Sequence, residues 1–227
     1  MSSALYLLYT HSMMWRRHSC VKVYCNAVFL FSFLCLTLTA QTADISEAIF
    51  AIHYKGAPYR DSRYVVGIQA IPGRVECAYY DYGGEGVAYH DTESKNFGSG
   101  GLNPADGTYL NEFRMDEGVD TSYTKFHDQI DNSPYNLVRP SENQLYVGWT
   151  EPGEWFNITV QVAQASAYTA DLLYTSNRGG TIAVDVDGRP ATAPISIISH
   201  LQCCRCCRLE AMAPLEQAKE SSDAEAA

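Results

Sequence analysis

Between residues 154 and 188 the chain alternates apolar and polar side chains three times over, and that pattern restricts it to antiparallel sheet. In Glu154-Trp155-Phe156-Asn157-Ile158-Thr159-Val160-Gln161-Val162, the apolar residues Phe156, Ile158, Val160 and Val162 fall at every second position. Tyr168, Ala170, Leu172 and Tyr174 repeat the alternation against Thr169, Asp171 and Thr175, and Ile182, Val184 and Val186 repeat it against Thr181, Asp185 and Asp187. A period of two puts one greasy and one polar face on each segment, which suits strands laid over a core. No helical period occurs in this stretch. The fold class is therefore all-β, a β-sandwich of jelly-roll, lectin-like type.

The flanks divide the chain into four parts. Arg16, Arg17 and Lys22 precede an apolar run from Ala27 to Leu38, and Ala40 offers a small residue for cleavage. That is the layout of a secretory signal peptide over residues 1–40, in a run shorter than the roughly 20 apolar residues a membrane helix needs. The expected location is extracellular, with an uncleaved membrane anchor as the alternative and Met13 or Met14 as a possible start. Residues 41–72 read as a leader or linker, and residues 73–199 as the sandwich. Residues 200–227 change character abruptly, from a Cys-rich cluster to an Ala/Glu-rich tail expected to be helical or disordered.

Within the sandwich, Val75–Tyr80 and Val87–His90 are expected to be short strands around a Gly-rich loop, Gly83-Gly84-Glu85-Gly86. Residues 91–142 form a long, turn-rich connection, and loops of that length are usually functional or carry small strands of their own.

A formal charge of -10 repels phosphate backbones, and residues 1–40 hold three basic residues and no acid, so cleavage leaves the rest more acidic still. Nucleic acid is excluded as a partner on that ground, whereas neutral polymers and cations remain compatible. Cys77 is the lone cysteine of the sandwich, which argues against a disulfide framework. Cys203, Cys204, Cys206 and Cys207 lack both the pair spacing and the distant second pair of a structural zinc site. Asn157-Ile158-Thr159 fits a glycosylation sequon, but its mid-strand position counts against use. Glu85, Asp91, Glu117, Asp120 and Glu154 are available as catalytic acids, yet no motif fixes two of them at catalytic separation. No nucleophile elbow, phosphate loop or His-Glu-x-x-His sequence is present, so the chain reads as no enzyme.

Several blocks together carry a resemblance. They are Pro72-Gly73-Arg74-Val75-Glu76, Tyr80-Asp81, Gly83-Gly84-Glu85-Gly86-Val87-Ala88-Tyr89-His90-Asp91, Glu117-Gly118-Val119-Asp120 and Val147-Gly148-Trp149-Thr150-Glu151-Pro152-Gly153-Glu154-Trp155. Over residues 72–199 the chain resembles family 6 carbohydrate-binding modules, with the Gly-Trp-Thr…Gly-Glu-Trp block as the specific part.

The resemblance implies a monomeric, non-catalytic module that holds an attached or partner glycoside hydrolase on polysaccharide. It implies a cleft at the loop ends where aromatic rings grip a sugar, the first ring falling at Trp149 and a polar contact near Tyr89 or His90. Stacking suits the chemistry, because a pyranose has an apolar C–H face and polar hydroxyl edges. Trp149 and Trp155 also have a packing alternative, and His90 a solvated one. The resemblance further implies a structural calcium, with Glu76 at the first ligand position but Ala78 where a second acid is usual. The second ring and a sugar-contacting asparagine belong to closing strands that should follow Ser199, and nothing there matches them. The chain thus reads as a truncated or frameshifted fragment, whose sandwich should expose apolar faces and unpaired edges. Two other functions remain compatible: a small polysaccharide hydrolase, or a surface adhesion domain without a sugar site.

Overall fold

A computed structural model describes residues 4–10, 19–25, 53–61, 67–126, 139–176, 178–198 and 207–211. The apolar run 27–38, the Ala40 cleavage site, Cys203, Cys204, Cys206 and the tail from 212 lie outside these residues.

The regular secondary structure of the described chain is nearly all strand, as the alternation requires. Its strands are β1 (Ala4–Thr10), β2 (Ser19–Cys25), β3 (Gln69–Ile71), β4 (Arg74–Val75), β5 (Tyr89–His90), β6 (Thr121–Tyr123) and β7 (Leu145–Val147). They continue with β8 (Trp155–Val162), β9 (Thr169–Thr175), β10 (Gly180–Val186), β11 (Arg189–Pro190), β12 (Ile195–Ile197) and β13 (Cys207–Ala211). One sheet runs β13-β9-β1-β7-β6, with β4 also on β1; the other runs β11-β10-β2-β8-β3, with β12 on β10 and β5 on β8. A single apolar cluster joins Val147, Leu172 and Tyr174 of the first sheet to Phe156, Ile158, Val160, Ile182 and Val184 of the second. The two sheets are therefore layers over one core, and each fully buried aliphatic such as Ile158 contributes roughly 1.5–3 kcal/mol.

The three alternating segments are β8, β9 and β10, and their apolar sets face this core. Val75–Tyr80 differs from its expected single strand. Strand pairing there stops at β4, and between the extended Glu76 and Tyr80 the residues Cys77–Tyr79 coil into one 3-10 turn. The turn lets Cys77, Ala78 and Tyr80 all bury, which strict alternation would forbid.

Residues ahead of the sandwich are part of it. The leader docks through backbone bonds between Ala57 and Tyr82, at 2.8 and 2.7 Å. Tyr54 adds a 2.7 Å hydrogen bond from its hydroxyl to Asp81, and the Tyr59 ring stacks on Tyr79 with centres 5.0 Å apart. Further upstream, β1 lies between β9 and β7, with Ala4 through Thr10 registered on Thr175 back to Thr169. β2 lies between β10 and β8, registered on Ile182–Val186 and on Trp155–Val160. Both thus hold interior positions in a region that the sequence reads as a signal peptide. An extended segment of any origin can take such a position, because the flanking strands offer rows of unpaired N–H and C=O groups. At the other end, Cys207–Ala211 forms β13 on β9 rather than the helix or disorder expected of the tail.

Candidate functional site

At one end of the sandwich, three connections surround a cleft of about 510 Å³. The loop after β5 supplies Glu93 and Phe97, and the approach to β6 supplies Asp120. The β7–β8 turn supplies Trp149, Thr150, Glu151, Pro152 and Glu154, while the β9–β10 turn supplies Arg178 and Gly179. The volume falls in the range of small-ligand sites.

Trp149 is held by backbone as well as packing. Its φ is +53°, in the left-handed region that a bulky residue rarely occupies. Such a conformation costs on the order of 1–3 kcal/mol, so the surrounding loops must over-determine it. Gly98 shows how closely they approach. A methyl group at that position would stand 1.9 Å from the Thr121 carbonyl oxygen and 3.1 Å from Cζ3 of Trp149. The indole is half-buried, with part of its surface open to the cleft.

Carboxylates tie the loops together. Glu154 accepts the Thr92 hydroxyl at 2.7 Å and the N–H of Glu151 in its own turn at 2.7 Å, joining the β7–β8 turn to the loop after β5. Asp120 accepts the Phe97 N–H at 2.5 Å, and Asp91 accepts the Glu93 N–H at 2.9 Å. Burial pushes the Asp91 carboxyl up to about 7, and the neighbouring Glu154, Asp120 and Glu93 charges add to the shift. Burial likewise raises Asp120 to about 6, helped by Glu93, Glu154 and Glu151. The cleft therefore offers the aromatic side chains of Trp149 and Phe97, several hydroxyl-accepting oxygens and the Arg178 cation.

Tyr89 and His90 do not line it. Tyr89 takes the inward parity of β5, is 6% exposed, and meets Tyr80 edge-on at 5.5 Å. Its hydroxyl accepts the Gly118 N–H at 3.2 Å. His90 points outward, where its Nδ1 pairs with Glu85, and its ring lies 6.4 Å from Trp155. Trp155 itself is half-buried beneath the Lys22 ammonium, 3.5 Å from the ring centre. Phe97, Glu93 and Arg178 are cleft residues to which sequence reading assigned no binding role, and Thr150 and Glu151 entered it only within the block that carries the resemblance. The one local signal for Phe97 was an aromatic between Asn96 and Gly98 in an otherwise polar loop.

Glu76 lies away from this end, against a second, shallower hollow that it lines with Arg60, Arg74, Tyr79 and Gln161. Its carboxylate sits 2.7 Å from Nε of Arg74, and burial holds its carboxyl above the usual range. Ala78 beside it is fully buried and offers no oxygen from its side chain. Among the described residues no group of three or more His, Cys, Asp and Glu side chains is placed to hold a metal ion.

Compared with known proteins, the chain matches no family model, no curated protein and no solved structure.

Proposed function

We propose that the chain is a non-catalytic polysaccharide-binding module of the family 6 kind, with its site at the Trp149 cleft. The observation that carries this reading is Trp149 in a left-handed backbone conformation, one face open to a cleft rimmed by carboxylates. A pyranose supplies what such a site lacks, an apolar C–H face for the indole and hydroxyl donors for Glu93, Glu151 and Glu154. On this reading the protein acts as a monomer outside the cell and keeps a glycoside hydrolase near its polymer.

Affinity electrophoresis of the full chain through gels containing xylan, β-glucan, agarose or laminarin tests the reading. Retardation by one polymer, lost in Trp149→Ala with the fold intact by circular dichroism, supports it. Equal mobility in every gel overturns it, and leaves an adhesion domain whose partner is not a glycan.

A hydrolase is the second reading, favoured by one observation. Asp120, which lines the cleft, and Asp91, which feels its charge, are both raised toward neutrality, as general acids are. Against it, both carboxylates are already committed to backbone N–H groups. Release of reducing ends from the retarding polymer, lost in Asp91→Asn, would establish it.

Calcium belongs to this proposal only through Glu76. The Arg74 ion pair competes for the same carboxylate, so a calcium titration followed by thermal melting should raise the midpoint only if that pair opens.

A further inference from the structure

Phe97 is 52% exposed, yet it stands on a firmly held loop. Its N–H is donated to Asp120 at 2.5 Å and its carbonyl accepts the Leu102 N–H at 2.8 Å. Immediately before it, Asn96 is 5% exposed and its Oδ1 accepts the N–H groups of Gly98, Ser99 and Thr121 at 2.9, 2.9 and 3.1 Å. Gly98 then lies against the Thr121 carbonyl so closely that no side chain fits there. An apolar ring in water adds little to the fold, and scattered exposed hydrophobics are ordinary. Leu102, on the same loop and 63% exposed, is of that ordinary kind and does not line the cleft.

Phe97 differs because its ring lines the cleft that holds Trp149. The two come from different connections, and among the described residues no other aromatic ring stacks on either. A rigid loop that presents a bare ring has already met the ordering cost that binding otherwise incurs. Phenylalanine brings no polar edge, so it calls for an apolar face on whatever it meets.

We infer that Phe97 is a second stacking surface of the cleft, contacting the C–H face of an uncharged pyranose residue bound against Trp149. The carboxylate rim of Glu93, Glu151 and Glu154 then accepts the hydroxyl edge, and it repels uronate or sulfate groups on a charged sugar. This inference rests on the polysaccharide-binding reading and replaces the ring expected from strands beyond Ser199.

The test uses the full chain in whichever of the four polymer gels retards it. Phe97→Leu keeps bulk but removes the ring face and should raise the dissociation constant about tenfold, with the melting midpoint unchanged because the ring is exposed. Phe97→Tyr keeps the ring face and should bind as the unaltered protein does, as should Leu102→Ala. If Phe97→Leu runs like the unaltered chain while Trp149→Ala is no longer retarded, Phe97 is a bystander and the polysaccharide reading stands alone. If the unaltered chain is retarded in none of the gels, both fall together.

Discussion

One buried amide locks the Asn96 loop to Thr121. Oδ1 of Asn96 accepts the Thr121 N–H at 3.1 Å while Nδ2 donates to the Thr121 hydroxyl at 2.7 Å. The same Oδ1 accepts Gly98 and Ser99, so a single side chain satisfies three backbone donors that the loop buries. Asn96→Ala orphans them, and a buried donor without a partner costs about 1–3 kcal/mol. Chemical denaturation should show a loss of ~3 kcal/mol for Asn96→Ala, with weaker polymer binding through the displaced Phe97. Asn96→Asp keeps the three acceptor contacts and loses only the donor to Thr121, so its loss should be visibly smaller.

Acid should stabilise the cleft end of the fold. Asp91 and Asp120 sit at about 7 and 6 in the folded chain, above the ordinary 3.8. A raised carboxyl holds its proton more tightly in the native state than in the unfolded one. Its contribution is therefore complete below pH 4 and is lost as pH rises through 6 to 7. Both groups face Glu93 and Glu154, whose charges enlarge the effect. Asp91→Asn keeps the acceptor for Glu93 and removes the charge. After solvent screening it should gain on the order of 1 kcal/mol at pH 8 and nothing at pH 4, read from denaturation at the two pH values. An equal effect at both would show that Asp91 titrates normally.

How much of this was legible in the sequence depended on whether a residue's role was periodic. β8, β9 and β10 follow directly from alternation, because a strand half-buried over a core has no other pattern to adopt. The same parity rule places Tyr89 inward on β5, against its expected contact with ligand. Loop geometry has no period. Trp149 is recognisable as an aromatic in a Gly-rich turn, but neither its φ of +53° nor the approach of its ring to Gly98, fifty-one positions earlier in the chain, follows from any local pattern. Phe97 reaches the cleft only because Asn96 and Asp120 fold its loop back onto β6. β1 and β2 were hidden for another reason. They lie within residues 1–40, where the basic residues and the apolar run 27–38 lead the sequence to be read as an export signal.

Asn157 should be unmodified wherever the folded protein is made. It is 2% exposed in the middle of β8, and its Nδ2 donates to the Val87 carbonyl at 2.9 Å. Its backbone N–H is donated to Ala88 at 2.8 Å, so the asparagine spans the join between β8 and the turn before β5. A glycan there would have to displace the wall of the core. Peptide mass mapping should find residue 157 bare in folded material. Asn157→Ala should cost about 1–3 kcal/mol by leaving the Val87 carbonyl unpaired.

The sharpest test of the architecture is a chain that begins at Gln41, the product expected from cleavage at Ala40. It lacks β1 and β2, which stand between β9 and β7 in one sheet and between β10 and β8 in the other. Their removal opens an unpaired backbone row in the middle of each layer and uncovers part of the shared core. Relative to the full chain, the Gln41 chain should melt at least about 10 °C lower and bind ANS, the dye signature of exposed apolar surface. A synthetic peptide of residues 1–26 should then raise the midpoint by strand addition. Equal midpoints and no dye binding would mean that the sandwich closes without β1 and β2, and that the segment is free to serve as the export signal its residues spell. A lower midpoint rescued by the peptide would mean that export by cleavage and this folded form are alternatives, since the residues removed by the first are interior strands of the second.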